Sequence, residues 1–506
     1  MELSDAKKMK AADNEAIQGH GIPSLRLMET AAGHVAAAAA SLMGDRRSAV
    51  VFCGPGNNGG DGVAAARILM DMGCQARAFL VGSREKMTED TRAMERELQS
   101  AGGELEDFHA GDEALPALLK EAGVLVDAIF GVGLSRPLTG DALAAVKLIN
   151  GAGRPVVAAD IPSGVSADTG AILGDAVKAD CTVTFSMAKP GHFVEPGCVC
   201  RGELKVADIG IPEDILAQAG CGLYAIHNED LALPRRKPLS HKGDYGKVMI
   251  IGGSKTYTGA PSLCAHGAVR AGAGLVYLGV PADIYEIEAV KNDEAMVFPL
   301  PANGQGQLDK SALPVILERL KDCNVCVIGP GLGRSEDTAA VVMGVVKGAK
   351  CPVVADADAL WAIGEENLGL LLTAKAPLVL TPHEGEFARI LGRPVKDRLA
   401  DAMNFSRAYR CAVVLKGHRT ICAFPDGKGY IIDAGNPGMA KGGTGDVLAG
   451  VIGAMLGQLP SRRAVVTACW LHSRAGDLCA RDMGEYAMKA GDIIETLCQA
   501  QREIIR

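Results

Sequence analysis

The stretch Gly54-Pro55-Gly56-Asn57-Asn58-Gly59-Gly60-Asp61-Gly62 sets two amides and a carboxylate among glycines. It follows an apolar run, Ala49 to Cys53, and precedes residues of helical periodicity, Val63 to Met72. Strand, glycine loop and helix in that order present free backbone N–H groups at a helix N-terminus, where a phosphate is stabilised. Gly54-x-Gly56-x-x-Gly59 fits the dinucleotide pattern. An NAD-dependent dehydrogenase also needs an acid about 20 positions on, at the end of the next strand, for the ribose hydroxyl. The next strand reads CQARAFLVG and offers none. The dehydrogenase reading thereby loses its second support.

Two further strand ends in this half carry acids: Asp127 in VDAIFGVG, and Asp160 in AADIPSG with Ser163 three residues later. Carboxylates, an amide oxygen and a hydroxyl converging on one sheet edge can hold a hard cation. Helix capping or turn formation is the competing role for each Asp.

The second half has its own concentration of glycines and acids. Asn436-Pro-Gly-Met-Ala-Lys-Gly-Gly-Thr-Gly-Asp446 precedes VLAGVIGAML, a predicted helix. Backbone N–H groups there form an anion pocket. Asp446, at the helix start, can take a proton from a hydroxyl that attacks a phosphoryl group. The loop is not of the G-x-x-x-x-G-K-[ST] type. Lys416-Gly417-His418-Arg419-Thr420 follows the apolar run Ala412–Leu415 and suits nucleotide phosphates. His383 and Glu384 follow PLVL, Asp356 and Asp358 follow PVVA, and Gly329 to Gly333 follows VCVI.

The elements that must position these residues are short apolar strands alternating with helices. In the first half they are Ala49–Cys53, Gln75–Val81, Val124–Ile129, Pro155–Ala159 and Cys181–Phe185. In the second they are Lys247–Ile251, Gly274–Val280, Val325–Ile328, Pro352–Ala355, Pro377–Leu380 and Ala412–Leu415. This alternation predicts mostly parallel sheets covered on both faces, with ligands beyond the carboxyl ends of the strands. At about 150 residues per domain, 506 residues fit two to four domains. The mixed Pro-rich, charged stretch from Gly210 to Pro238 puts a boundary near residues 215–230.

A net charge of −8 argues against a nucleic-acid partner. The N-terminus lacks an apolar signal region and no apolar run reaches 18 residues, so neither secretion nor a membrane span is expected. Fifteen cysteines then read as reduced thiols in a cytoplasm. Cys323-x-x-Cys326 reads as buried structure, because no second Cys/His pair is near enough in sequence to complete a zinc site.

GPGNNGGDG, FGVGLSRPLTG (Phe130–Gly140), DIPSG (Asp160–Gly164) and GIPSLRLMETAAGHV (Gly21–Val35) occur in the order seen in NAD(P)H-hydrate epimerase domains, which residues 1–220 resemble. One departure is Thr30-Ala31-Ala32, where that family commonly has Asn-Ala-Gly. HKGDYGKVMIIGGS (His241–Ser254), RAGAGLV (Arg270–Val276), DADAL (Asp356–Leu360), TPHEGEFARILG and NPGMAKGGTGDVLAG resemble the ribokinase-like ADP/ATP-dependent NAD(P)H-hydrate dehydratases, over residues 225–506. The resemblance implies a Rossmann-like three-layer αβα domain followed by a ribokinase-like αβα domain.

In the first, it implies that Asn57, Asn58, Gly59, Gly60, Asp61, Gly131, Val132, Gly133, Leu134, Ser135, Arg136, Pro137 and Asp160 line the hydrated nicotinamide nucleotide. Asn58, Asp127 and Ser163 would hold potassium. Epimerisation breaks and remakes the C6–hydroxyl bond or opens the ring, and Asp160 is the candidate to move the proton. In the second, Ala260, Gly333, His383 and Asp446 would face the hydrate. Lys416, Gly417, His418, Arg419, Thr420 and Gly445 would face the adenine nucleotide, with magnesium offsetting its charge. Asp446 would be the base. The fused layout implies ADP rather than ATP as co-substrate, and a homo-oligomer is expected. A vitamin-precursor-type kinase with a non-catalytic first half, or a binding scaffold, are the alternatives; the first leaves the epimerase-like half unexplained, and the retained polar residues Asn58, Asp127, Asp160 and Ser163 speak against the second.

Overall fold

The computed structural model describes residues 1–506. The chain divides into two compact units, Glu2–Leu223 and Tyr224–Arg506, the second including Met1.

The first unit contains β1 (Ser48–Cys53), β2 (Gln75–Leu80), β3 (Leu105–Asp107), β4 (Val124–Ala128), β5 (Val156–Ala159), β6 (Cys181–Phe185) and β7 (Glu203–Ala207). They form one seven-stranded sheet in the order β3-β2-β1-β4-β5-β6-β7, parallel throughout. β1 shows why: Ala49, Val51 and Cys53 pack with Val63 and Leu69 on one face, while Val50 and Phe52 pack with Phe79 and Leu125 on the other. A strand buried on both faces suits a parallel sheet under two helical layers. β3 and β7 were not legible as apolar runs. They read LED and ELKVA, and both lie at sheet edges where only part of each strand is buried.

β1 pairs with β2 on one side and β4 on the other. The chain therefore reverses its strand order at β1, and the loops after β1 and β4 flank a crevice. Two glycines make this possible. A Cβ at Gly54 would lie 1.9 Å from the Ile129 carbonyl oxygen, and one at Gly59 would lie 1.7 Å from the Gly54 carbonyl oxygen.

The second unit is built on a ten-stranded sheet of β8 (Leu223–Ile226), β9 (Lys247–Ile251), β10 (Leu275–Pro281), β11 (Met296–Leu300), β12 (Val325–Ile328), β13 (Val353–Ala355), β14 (Leu378–Leu380), β15 (Ala412–Leu415), β16 (Ile421–Ala423) and β17 (Gly429–Ile432). The order is β11-β10-β9-β12-β13-β14-β15-β16-β17-β8. The pairings from β11 to β15 are parallel and those of β15–β16 and β16–β17 antiparallel. The antiparallel hairpin is too short for a sequence signal, and β11 (MVFPL) is interrupted by Pro299. The helices Gly259–Arg270 and Thr444–Leu456 cover β9 and β12 through Cys264, Ala268, Val447 and Ile452.

No helix is long and apolar enough to cross a membrane. All fifteen cysteines are free thiols. Cys326 is buried within β12, Cys323 is half-buried, and no cluster of His, Cys, Asp or Glu is suited to a metal.

Gly59→Ala would force the helix away from the loop beneath it. We expect a loss of about 1–3 kcal/mol, read as a lower denaturant midpoint for the first unit.

Candidate active sites

In the first unit the loop after β1 enters the helix Asn57–Asp71, whose first turn has no side-chain cap. The N–H groups of Gly59 and Gly60 turn back to the Gly56 carbonyl, and those of Asn57 and Asn58 are left for an anion. An open cleft beside it is lined by Asn57, Asp61, Val132 and Asp160 from the sheet edge and by Met9, Asp13, Ile17 and Leu27 from N-terminal helices, with Phe185 and Lys189 after β6.

Asp160 follows β5 and adopts a positive φ of 65°. Such a conformation costs a non-glycine residue about 1–3 kcal/mol and persists only where its surroundings enforce it. His192 does so: its Nε2 lies 2.9 Å from the Asp160 carbonyl, and its Nδ1 accepts from the Lys189 N–H at 3.0 Å. Burial, reinforced by Lys189, pushes the imidazole down to about 3, so it is neutral. The Asp160 carboxylate is gripped through Oδ1 by Lys189 Nζ at 2.6 Å and Thr184 Oγ1 at 3.1 Å. Lys189 is itself 1% exposed and also reaches Thr184 Oγ1 at 2.8 Å. Burial alone would raise the Asp160 pKa; Lys189 outweighs it and holds the carboxyl below its ordinary range. Oδ2 is turned toward Gly131, where a Cβ would meet it at 3.1 Å and Asn58 Oδ1 at 2.9 Å.

Asp61 has no cation of its own. Burial, then repulsion from Asp160 and Asp13, pushes it well above its ordinary value. Asp127 and Ser163 are brought together behind the loop: Ser163 Oγ donates to Asp127 Oδ1 at 2.6 Å and Ser163 N to Oδ2 at 2.7 Å. Burial holds Asp127 at about 6. The buried Asn58 Nδ2 has no hydrogen-bond partner. Gly133, Ser135, Arg136 and Pro137 lie exposed in the loop after β4, and Leu134 packs against the core beneath it.

Lys189, His192, Thr184 and Asp13 were not read from the sequence. Lys189 and His192 follow β6, and the same attention to strand ends that picked out Asp160 would have reached them. Asp13 lies on a helix and carries no such signal.

In the second unit the helix Thr444–Leu456 starts after Gly443, which has φ +94° and supplies no side-chain cap. The loop before it is tied down by Asn436 Nδ2 to Asp477 Oδ1 at 2.9 Å and by Lys441 Nζ to the Tyr486 carbonyl at 2.6 Å. Asp446 sits in the first turn; burial, then repulsion from Asp356, raises it to about 7. Lys416 is not a free phosphate ligand. Its Nζ binds Asp356 Oδ1 at 2.8 Å and lies 3.9 Å from Glu386, and a Cβ on Gly445 would meet it at 3.3 Å. Burial works against the ammonium, but Asp356 and Glu386 more than offset it and hold it above the usual lysine range. Thr381 Oγ1 also donates to Asp356, at 2.7 Å.

Between Asp356 and Asp358, Ala357 takes a φ of 50°. Asp358 accepts from the Gly333 N–H at 2.9 Å, and Ala260 lies against the same glycine loop. His383 caps the helix Glu384–Leu391 through Nδ1 and leaves its ring exposed. Arg419 is paired with Asp433 at 2.9 Å rather than free for phosphate. Thr420 is buried and accepts the Ile432 N–H through its carbonyl. Gly417 rests on the Arg398 guanidinium, so close that a Cβ there would overlap it. His418 is half-buried.

One parallel and one mostly parallel α/β sheet, each with an uncapped glycine-loop helix and buried carboxyls at its carboxyl edge, define an enzyme that handles nucleotides. Residues 24–191 match the family model described as YjeF-related protein N-terminus, and residues 248–499 match NAD(P)H-hydrate dehydratase. The chain is 40% identical to the bifunctional NAD(P)H-hydrate repair enzyme of Moorella thermoacetica, over 100% of this chain and 97% of the relative. It is 38% identical to that of Thermofilum pendens (100% and 97%) and 34% identical to that of Escherichia coli (97% and 92%). It belongs to the bifunctional NAD(P)H-hydrate repair enzyme family. Among solved structures, the ADP/ATP-dependent NAD(P)H-hydrate dehydratase of Bacillus subtilis, co-crystallised with ATP and Mg2+, is 30% identical over 55% of this chain and 96% of that one, with a TM-score of 0.46.

Removing Lys189 would leave Asp160 buried without its cation. Lys189→Met is expected to destabilise the first unit by about 3–5 kcal/mol. Adding Asp160→Asn should recover much of that loss, as a double-mutant cycle by chemical unfolding would show.

Proposed function

We propose that residues 1–220 equilibrate the R and S hydrates of NAD(P)H, and that residues 225–506 dehydrate the S form at the expense of ADP. The observation that carries this reading is that each half sets a tuned carboxyl beside an uncapped glycine-loop helix: Asp160 in one, Asp446 in the other. The phosphates of a nucleotide fit those helix starts.

In the first half, Asn57, Asn58, Asp61, Val132 and Asp160 hold the hydrate, with the glycines and residues 133–137 of the two loops closing on it. Asp160, ionised and fixed by Lys189 at one oxygen, turns its other oxygen to the ligand and moves the proton at C6. Asn58, Asp127 and Ser163 supply oxygen donors of the kind potassium takes. Two features support the fit: the buried orphan amide of Asn58, which reversed would present an oxygen, and the desolvated Asp127, which a cation would relieve. Potassium would add a fixed positive charge beside the nucleotide.

In the second half, Ala260, Gly333, His383 and Asp446 face the hydrate. The loop of residues 416–420 and Gly445 face ADP, with Lys416 and Arg419 acting from their places on Asp356 and Asp433. Asp446 takes the C6 hydroxyl proton as the oxygen attacks the terminal phosphoryl group of the nucleotide. Phosphate is then a good leaving group, expelled by the lone pair of the ring nitrogen to leave an N1=C6 iminium, and loss of a proton from C5 restores the C5=C6 bond of the dihydronicotinamide. Magnesium fits as a companion of the nucleotide phosphates, which commonly supply much of its coordination.

A mixture of R and S hydrates with potassium, magnesium and ADP should recover its dihydronicotinamide absorbance completely. Recovery of the S fraction alone, beyond spontaneous epimerisation, would remove the epimerase assignment. Asp160→Asn should abolish epimerisation and leave dehydration of the S form intact.

Asp446 must be ionised to act as base, and its folded pKa is about 7. Dehydratase kcat/KM should therefore fall as pH drops through about 7. Asp446→Asn should lower kcat by about 10²–10⁴-fold; a variant that keeps both rate and pH limb would exclude Asp446 as the base.

A further inference from the structure

We propose that Asp13 is the second proton-transferring group of the first-unit cleft, acting from the helical wall as the partner of Asp160 on the sheet edge. The inference rests on the epimerase reading of that cleft.

Met9, Asp13 and Ile17 are spaced by four residues and all line the cleft. Two of the three are apolar, as a stripe packed inward should be. A carboxyl in such a stripe is costly unless paired, and here it is not relieved. Lys189 is committed to Asp160, Thr184 and the Phe185 carbonyl. Asp13 feels that ammonium only at longer range, and burial raises it to about 6. The charged or titratable groups facing it are Lys189 and Asp160 from the strand-end loops, Asp61 from the helix after β1, and Asp90 from the helix Glu89–Ser100. Asp61 is 9% exposed and is pushed up by burial and by the carboxyls of Asp160 and Asp13, whereas Asp160 is held below its ordinary range by Lys189. Asp13 is the cleft carboxyl tuned to exchange a proton near neutrality, where general acid–base groups work best.

The reaction needs such a partner. The two hydrates are isomers at C6, so one proton must be given and one taken on each turnover. With Asp13 protonated and Asp160 ionised, Asp13 gives its proton to the C6 hydroxyl oxygen. The C6–O bond breaks, its electron pair leaves with water, and the N1 lone pair forms an N1=C6 bond. Water adds to the other face of C6, the π pair returns to N1, and Asp160 takes the excess proton. One proton has then passed from Asp13 to Asp160. The opposite protonation state runs the reverse reaction, and exchange with solvent restores the starting state.

The test uses the full chain, purified R-NADH hydrate and potassium without ADP, with the epimers separated by chromatography. Asp13→Asn should lower kcat by about 10²–10³-fold with KM little changed, and Asp13→Glu should retain more activity than Asp13→Asn. The wild-type rate should fall as pH rises past about 6, and Asp13→Asn should lack that limb. Its unfolding midpoint should not drop, since it replaces a half-buried acid, raised by burial, with an amide of the same size. If the midpoint does drop, Asp13→Glu decides: a limb unmoved in that variant overturns the proposal. So does a kcat for Asp13→Asn within about twofold of wild type, or a loss confined to KM. Asp160→Asn is measured in parallel. Full activity there sinks the epimerase assignment of Asp160 itself, whereas an inactive Asp160→Asn beside an unaffected Asp13→Asn sinks only the role of Asp13.

Discussion

Both sites depend on one arrangement, a lysine ammonium buried (Lys189) or half-buried (Lys416) and held against an aspartate at the carboxyl edge of the sheet. Lys189 on Asp160 and Lys416 on Asp356 are the two instances. A buried pair of this kind is weak support for stability, because desolvation consumes most of the Coulombic gain. Its effect on neighbours is larger. Each lysine grips one carboxylate directly and reaches the others in the same space only at longer range. Asp13 and Asp61 in one cleft and Asp446 in the other are driven upward first by burial and then by neighbouring carboxylates, with Lys189 and Lys416 offsetting only part of the rise at Asp13 and Asp446. Burial and one ion pair together thus set neighbouring carboxyls apart in their readiness to hold a proton.

The backbone contributes the second half of each site. In both units a strand ends in a glycine loop that passes into a helix with no side-chain cap. The unsatisfied N–H groups and the helix dipole attract phosphate, while the acids collect at adjacent strand ends. In the first unit β1, β4 and β5 are neighbours, so the loop, Asp127 and Asp160 fall on one edge. Strained residues recur at the strand ends of both units: Asp160 takes a positive φ directly after β5, and Ala357 does so two residues after β13. Around Asp160 the neutral His192 locks the turn.

Much of this was legible in the residues. Strands buried on both faces give continuous apolar runs, and β6, β9, β12 and β15 have the bounds the runs indicate. Edge strands and the β16–β17 hairpin were missed because their burial is partial or their length too small for periodicity to speak. The motif residues at strand ends were found, but several of their partners were not. Lys416 and Arg419 read as phosphate ligands because a basic loop after a strand suits phosphate; in the fold they are committed to Asp356 and Asp433. A charge in a sequence has no visible counter-charge when its partner lies 14 or 60 positions away.

The sequence by itself determined the class of the two sheets, the two anion loops, the absence of a ribose acid after β2, and the family to which the chain belongs. These are local properties: periodicity, glycine spacing and the order of motifs. Tertiary structure alone decided which acids carry a proton. That depends on burial and on the charges packed beside each acid, and both arise only when residues as distant as Asp13, Asp61, Asp160 and Lys189 are folded into one space of low dielectric.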